Sequence, residues 1–234
     1  MSTPVRQAAA ADGVSPAWSR YSWAAGLVFV VALLTEALVS ATIPVNQDDS
    51  AAKIANELDA HRGVAVTVAC LSMVYAVAFL VYLWRLYSLL RAQEAVVPRL
   101  STLVLVGGVL FLTLHAVSDI GIIGMLGGKL AAYSVQHDAG LSYTLYLTTF
   151  AVDSVGDVLG SVFVVAAGLL VLRTSVLPRW LGLTAILTGV LFFLQGFGLG
   201  GVIALFGLVL DLIGFVLLLT FVAASSVLLM RRGA

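Results

Sequence analysis

Residues 146–160 read YLTTFAVDSVGDVLG, an apolar run that nonetheless carries Asp153 and Asp157. Four residues is about one helical turn, so both acids share a face if the run is helical. Apolar sequence continues outward from this stretch, to Ser142 on one side and Leu172 on the other. That length exceeds the ~20 residues that cross a bilayer. A backbone in lipid must satisfy its own hydrogen bonds, so the run is a helix. Carboxyl groups at membrane depth are expensive and mark function by default.

The rest of the chain has the same character. Of its 234 residues, 61% are hydrophobic and 10% charged, and the mean hydropathy is +1.09. Soluble domains carry about 25% charged residues, so a soluble class is excluded. Strand alternation is absent, which argues against a barrel. The formal net charge is zero, so no nucleic-acid partner is implied. A single cysteine, Cys70, excludes an internal disulfide and reads as packing in an apolar span.

Six apolar runs are predicted as spans, at about 22–43, 63–86, 100–126, 142–172, 181–195 and 202–230. The fold class is thus all-α, a six-helix transmembrane bundle forming one domain over residues 21–234. Residues 1–20, rich in alanine and interrupted by Pro4 and Pro16, are expected as a mobile cytoplasmic tail. No cleavable signal pattern is seen, so span one is expected to be an uncleaved anchor. Between spans one and two, Ser50 can cap a short helix through AAKIANELDAHR, with Ile54 and Leu58 on one side. It is expected to lie on the membrane surface. Residues 127–140, with Lys129, His137 and Asp138, are expected as an outer loop, and Arg85, Arg91 and Arg99 as a basic turn ending at Pro98.

Orientation follows from the basic residues. With the N-terminus inside, the inner face receives Arg6, Arg20, Arg85, Arg91, Arg99, Arg173, Arg179, Arg231 and Arg232. The outer face receives Lys53, Arg62 and Lys129. Trp18, Trp23, Trp84 and Trp180 fall at the inner boundary, where indole rings favour the headgroup zone. Both termini are therefore expected in the cytoplasm of a cell with a bacterial-type inner membrane.

Five acids lie within the spans: Glu36, Asp119, Asp153, Asp157 and Asp211. Helical rise places all of them between the outer surface and the midplane. Tyr146, Thr149, Asp153, Asp157 and Gly160 share one face, as do His115 and Asp119. Gly156 and Gly160 let a second helix approach. No Lys or Arg lies at this depth, and His115 is the one group there able to become a cation. An ionised acid at a helix centre costs about 2.5 to 3.5 kcal/mol. The acids are therefore protonated, hydrated, or bound to a cation.

Three functional readings fit an outward-facing acidic cavity. The first is a transporter-like or ligand-binding protein whose cavity takes a cation, a proton or an amphiphile, with Ser118 and Gln195 as secondary lining and Tyr133, Tyr143 and Tyr146 near its mouth. The second is an intramembrane enzyme acting on a lipid or isoprenoid. There His115, Asp119, Asp153 and Asp157 hold a metal, or a protonated aspartate serves as general acid, or Ser118 and His115 act as nucleophile and base. The third is plain packing, with neutral acids hydrogen-bonded between helices.

The segments IANELDAHRG (54–63), LYSLLR (86–91) and LPRWLGLTAILTGVL (177–191) resemble the bacterial six-helix membrane proteins of the DUF4386 type. The resemblance implies six helices and a cell-membrane location. No activity or site residue comes with it.

Overall fold

The computed structural model describes residues 16–93, 99–196 and 204–232. Its elements are α1 (Pro16–Ser40), α2 (Ala51–Ala60), α3 (Arg62–Gln93), α4 (Arg99–Ala116), π-helical segments at Val117–Ile123 and Leu126–Leu130, α5 (Ala131–His137), α6 (Ala139–Thr174), α7 (Arg179–Gly196) and α8 (Ala204–Arg232). No strand occurs among the described residues. Six stretches are long and apolar enough to cross a membrane: Tyr21–Ser40, Arg62–Gln93, Arg99–His137, Ala139–Thr174, Arg179–Gly196 and Val209–Arg232. These are spans one to six. Each packs beside its neighbours in sequence, and span six closes against span one. The protein is a six-helix all-α membrane bundle with a short helix between spans one and two.

Helix α1 already begins at Pro16, and the remainder of the expected tail lies outside the described residues. Pro98 and the glycine-rich connection at 197–203 lie outside them as well. Arg85 and Arg91 belong to the last turns of span two, not to a turn after it. The guanidinium of Arg85 lies 5.6 Å from the ring centroid of Trp23. That ring is buried and packs edge-on to Tyr82, so Trp23 is a core residue. Trp84 and Trp180 do sit exposed at the arginine end. Cys70 is exposed on the lipid side of span two, not packed inside.

The expected loop at 127–140 is largely helical. The sequence AAYSVQH contains no helix breaker, and Gly128 takes the kink with φ −86° and ψ −142°. Chain reversal is confined to Asp138, whose Oδ1 accepts the Gly140 N–H at 2.9 Å as the N-cap of α6. Span three therefore runs 39 residues and span four 36. At ~1.5 Å per residue the continuous 36-residue helix of span four is about 54 Å long, against a hydrocarbon core of ~30 Å. The ends of spans three and four form a helical hairpin that reverses at Asp138.

Helix α2 docks on that hairpin. Ser50 caps it by accepting the Lys53 N–H at 3.3 Å. Ile54, Ala55 and Leu58 are fully buried, and Ile54 and Leu58 pack with Ile122, Leu126 and Ala131. The apolar stripe thus faces protein, not the lipid surface. Beside its N-terminus, a hydrogen bond from the Lys53 ammonium at 2.9 Å holds the Asp49 carboxyl below its ordinary range.

A second apolar layer crosses the middle of the bundle. One buried phenylalanine comes from each span: Phe29, Phe79, Phe111, Phe163, Phe192 and Phe221. Phe79 lies centrally, with ring centroids 4.9 Å from Phe29, 5.8 Å from Phe111 and 5.7 Å from Phe163. Phe111 stacks on Phe192 at 6.3 Å.

Candidate functional site: a polar layer across six spans

The polar residues of the spans share one depth. Counted from an arginine at the arginine-rich end, Glu36, Tyr75, His115, Asp157 and Gln195 each stand sixteen residues in, from Arg20, Arg91, Arg99, Arg173 and Arg179. Asp119, Asp153 and Asp211 stand twenty in, from Arg99, Arg173 and Arg231. Helical rise converts this to about 24 to 30 Å. Every span contributes a polar group to this layer, between the phenylalanines and the α2 cluster.

Two hydrogen-bonded groups form within it. In the first, the Tyr75 hydroxyl donates to Asp119 Oδ2 at 2.5 Å, and Ser72 adjoins the same carboxyl. Ser118 Oγ donates to Asp153 Oδ2 at 3.0 Å. Glu36 lies within electrostatic reach of Asp119 and Asp153. In the second, His115 Nε2 is 3.5 Å from Asp157 Oδ1. Gln195 Nε2 donates to Asp157 Oδ2 at 3.1 Å, and Gln195 also adjoins Asp211. Asp153 Oδ1 and Gln195 Oε1 are buried and find no hydrogen-bond partner among the described residues.

Glycines shape the second group. A Cβ on Gly156 would come within 2.8 Å of His115 Nδ1, and one on Gly160 within 2.5 Å of the Phe111 ring. The two glycines therefore admit span three against span four, as their spacing suggests.

The histidine geometry constrains its protons. His115 Nδ1 lies 2.9 Å from the Phe111 carbonyl oxygen. A carbonyl only accepts, so Nδ1 carries a hydrogen. Nε2 then faces the Asp157 carboxyl. Nε2 is therefore the ring nitrogen left for exchange with that carboxyl, at 3.5 Å.

A protein-family model described as Domain of unknown function (DUF4386) matches residues 24–229. The chain belongs to this family. No curated protein and no solved structure matches it. The matched range holds every residue of the polar layer, from Glu36 to Asp211, so the layer is part of the DUF4386 domain itself.

The DUF4386 bundle rearranges several expected groupings. His115 and Asp119 engage different partners. Asp119 accepts from Tyr75 on span two, while His115 faces Asp157 on span four, and a π-helical turn begins between them at Val117. Such π-bulges cluster at functional sites. No three His, Cys, Asp or Glu side chains come together to hold a metal among the described residues. The expected ligand set of His115, Asp119, Asp153 and Asp157 is divided between the two hydrogen-bonded groups. Ser118 is bonded to Asp153 and His115 to Asp157, so the nucleophile–base pair does not form.

Thr149 is buried, but its hydroxyl donates to the Tyr146 carbonyl of its own helix. Tyr146 packs in the α2 cluster, and its hydroxyl lies 3.5 Å from the Val45 carbonyl. The Tyr133 ring lies 4.3 Å from that of His137 at a tilt of 51°, at the end of α5. Helix α2 packs on spans three and four beside the layer. An apolar groove of about 560 Å³ does exist, between Tyr21, Val28, Met73 and Val77 on spans one and two. It faces lipid and includes none of the acids.

Tyr75 and Ser72 were not singled out from the sequence of the DUF4386 chain. Their only signal was two hydroxyls three residues apart in an apolar span, which is too common to stand out. Replacing Tyr75 with Phe removes the donor to Asp119 and leaves a buried acceptor unpaired. The expected loss is about 1 to 3 kcal/mol of stability, read as a lowered unfolding temperature in detergent. An unchanged temperature would mean that the hydroxyl does not support Asp119.

Proposed function

We propose that this protein binds protons within the membrane, as a transporter-like protein whose proton site is centred on His115 and Asp157. The carrying observation is the pair itself: Nδ1 spent on the Phe111 carbonyl and Nε2 facing a carboxyl, a geometry that leaves Nε2 to exchange a proton with that carboxyl. Asp153, Asp119, Glu36 and Asp211 extend it. His115 is the only basic side chain that the described residues bring to these acids. Five carboxyls with one possible counter-cation share protons as a coupled set. Hydrogen-bonded chains of Asp, Glu and His inside membranes are the usual material of proton relays.

The arginine-rich end faces the cytoplasm in this reading, with both termini there and the polar layer toward the outside of a bacterial-type inner membrane. The count of arginines and the exposed Trp84 and Trp180 support it.

Infrared titration of the purified protein in lipid nanodiscs tests the proton site. Protonated-carboxyl bands are expected to persist at neutral pH. Asp157→Asn and Asp153→Asn should each change that set of bands. Spectra without such bands at neutral pH, or bands indifferent to both substitutions, would remove the proposal.

A further inference from the structure

A second polar group lies on the arginine side of the phenylalanine layer. Tyr82 stands seven residues beyond Tyr75, two helical turns along the same face of span two. Its hydroxyl lies 2.8 Å from Ser225 Oγ on span six, with both residues fully buried. Ser225 Oγ in turn donates to the Val222 carbonyl at 3.1 Å, so the Tyr82 hydroxyl is the donor of that pair. Next to it, Ser226 is fully buried, and its Oγ finds no partner among the described residues. Span one meets this site at Gly26, where a Cβ would come within 2.1 Å of Ser226 Oγ and 2.8 Å of the Tyr82 ring. An orphaned buried hydroxyl is costly, and such groups belong where water or a moving proton completes the bonding.

Counting from the arginines sets the order of the layers. Ser225 and Ser226 are six and five residues from Arg231, and Tyr82 nine from Arg91. Helical rise places them roughly 8 to 14 Å in. The six phenylalanines stand nine to thirteen residues in, and the His115–Asp157 pair sixteen. The sequence of layers is thus hydroxyls, phenylalanines, carboxyls. Phe79 touches both sides: its ring is 6.2 Å from Tyr82, and it packs on Phe111. Phe111 lies against the His115 imidazole at 4.3 Å.

We propose that the protein conducts protons across the membrane, with Tyr82, Ser225 and Ser226 as the inner relay and the six-phenylalanine layer as a closed hydrophobic gate between that relay and the His115–Asp157 centre. Hydrophobic constrictions gate by excluding water and open when they wet. With the gate wet, the proton held by the His115–Asp157 pair passes to water among the rings. The Tyr82 oxygen takes a proton from that water and releases its own toward Ser225 and Ser226. Each hydroxyl ends as it began, and one positive charge has moved inward. The inference rests on the proton-binding reading of the carboxyl layer.

Reconstitution of the full chain in liposomes with a trapped pH-sensitive dye tests it, with flux driven by a potassium diffusion potential. Phe79→Ala is expected to raise proton flux several-fold over the unmodified protein. Adding either Tyr82→Phe or Asp157→Asn to that variant should abolish the increase. Should the alanine variant fail to fold, Phe79→Leu keeps most of the volume and should act in the same direction. Flux unchanged in the folded Phe79 variant, or an increase that survives both second substitutions, overturns the gate and relay. Infrared bands that persist and still respond to Asp157→Asn in that case would leave the proton-binding centre standing.

Discussion

Gly168→Ile abolishes the folded bundle. The glycine is buried in span four, and the obstacle is backbone. A Cβ at this position would lie 2.6 Å from the Gly182 carbonyl oxygen and 3.1 Å from the Ile186 nitrogen. A side chain can change rotamer to relieve a clash, but a helix backbone cannot. The contact is reciprocal, because a Cβ on Gly182 would sit 3.0 Å from the Gly168 carbonyl. Two turns along, Gly189 meets the Ser161 carbonyl in the same way, at 2.9 Å. Spans four and five are thus held at backbone contact, and in lipid that close packing is the main attraction between helices. Overpacking commonly costs about 1 to 3 kcal/mol where side chains can adjust; here the two spans must part. The expected outcome is loss of the monodisperse species in size-exclusion chromatography. Gly63→Ile serves as control, since a Cβ there meets nothing within 4 Å. A Gly168→Ile protein that elutes and melts like the unmodified chain would show that spans four and five do not touch in this way.

Asp157→Ala has the second-largest effect. Its carboxyl receives Gln195 on one oxygen and faces His115 on the other, and its side chain is only 9% exposed. Removal strands both partners inside the bundle. Breaking a buried ionic pair by deleting one member typically costs about 3 to 5 kcal/mol, most of it the penalty of the partner left behind. His115 is 19% exposed, so the loss is expected at the low end of that range. Deleting the partner too should recover part of it, so His115→Phe combined with Asp157→Ala should cost less than the sum of the single changes. Thermal unfolding of the four proteins closes the cycle. Strict additivity would mean that the two groups do not interact, and the proton site would go with them.

Much of this arrangement is legible in the sequence, because it depends on one segment at a time. The length of each apolar run sets a span. The position of an acid relative to the arginines at the end of its span sets its depth, so a shared layer of carboxyls can be read before any helix is placed. Gly156 and Gly160 announce a close approach through their spacing alone. The separate partners of His115 and Asp119 were not legible, because Tyr75 and Asp157 come from other spans. The π-helical turn at Val117–Ile123 costs backbone regularity locally and is compensated only by contacts with other spans, so no local pattern announces it. The partner of α2 was not legible for a related reason. An apolar stripe reveals that a face will be buried but not by what, and the helical ends of spans three and four lie in a stretch that reads as a loop.

Asp153 and Asp157 therefore divide between the two levels. The sequence by itself determined that they sit on one helix, near one depth, with no Lys or Arg to neutralise them, since helical rise and the cost of charge in lipid require nothing beyond the chain's own order. Only the tertiary structure decided that Asp157 meets His115 and Gln195 while Asp153 meets Ser118. That choice is made by how each helix is rotated about its axis, and rotation is set by the packing of glycines and phenylalanines between spans.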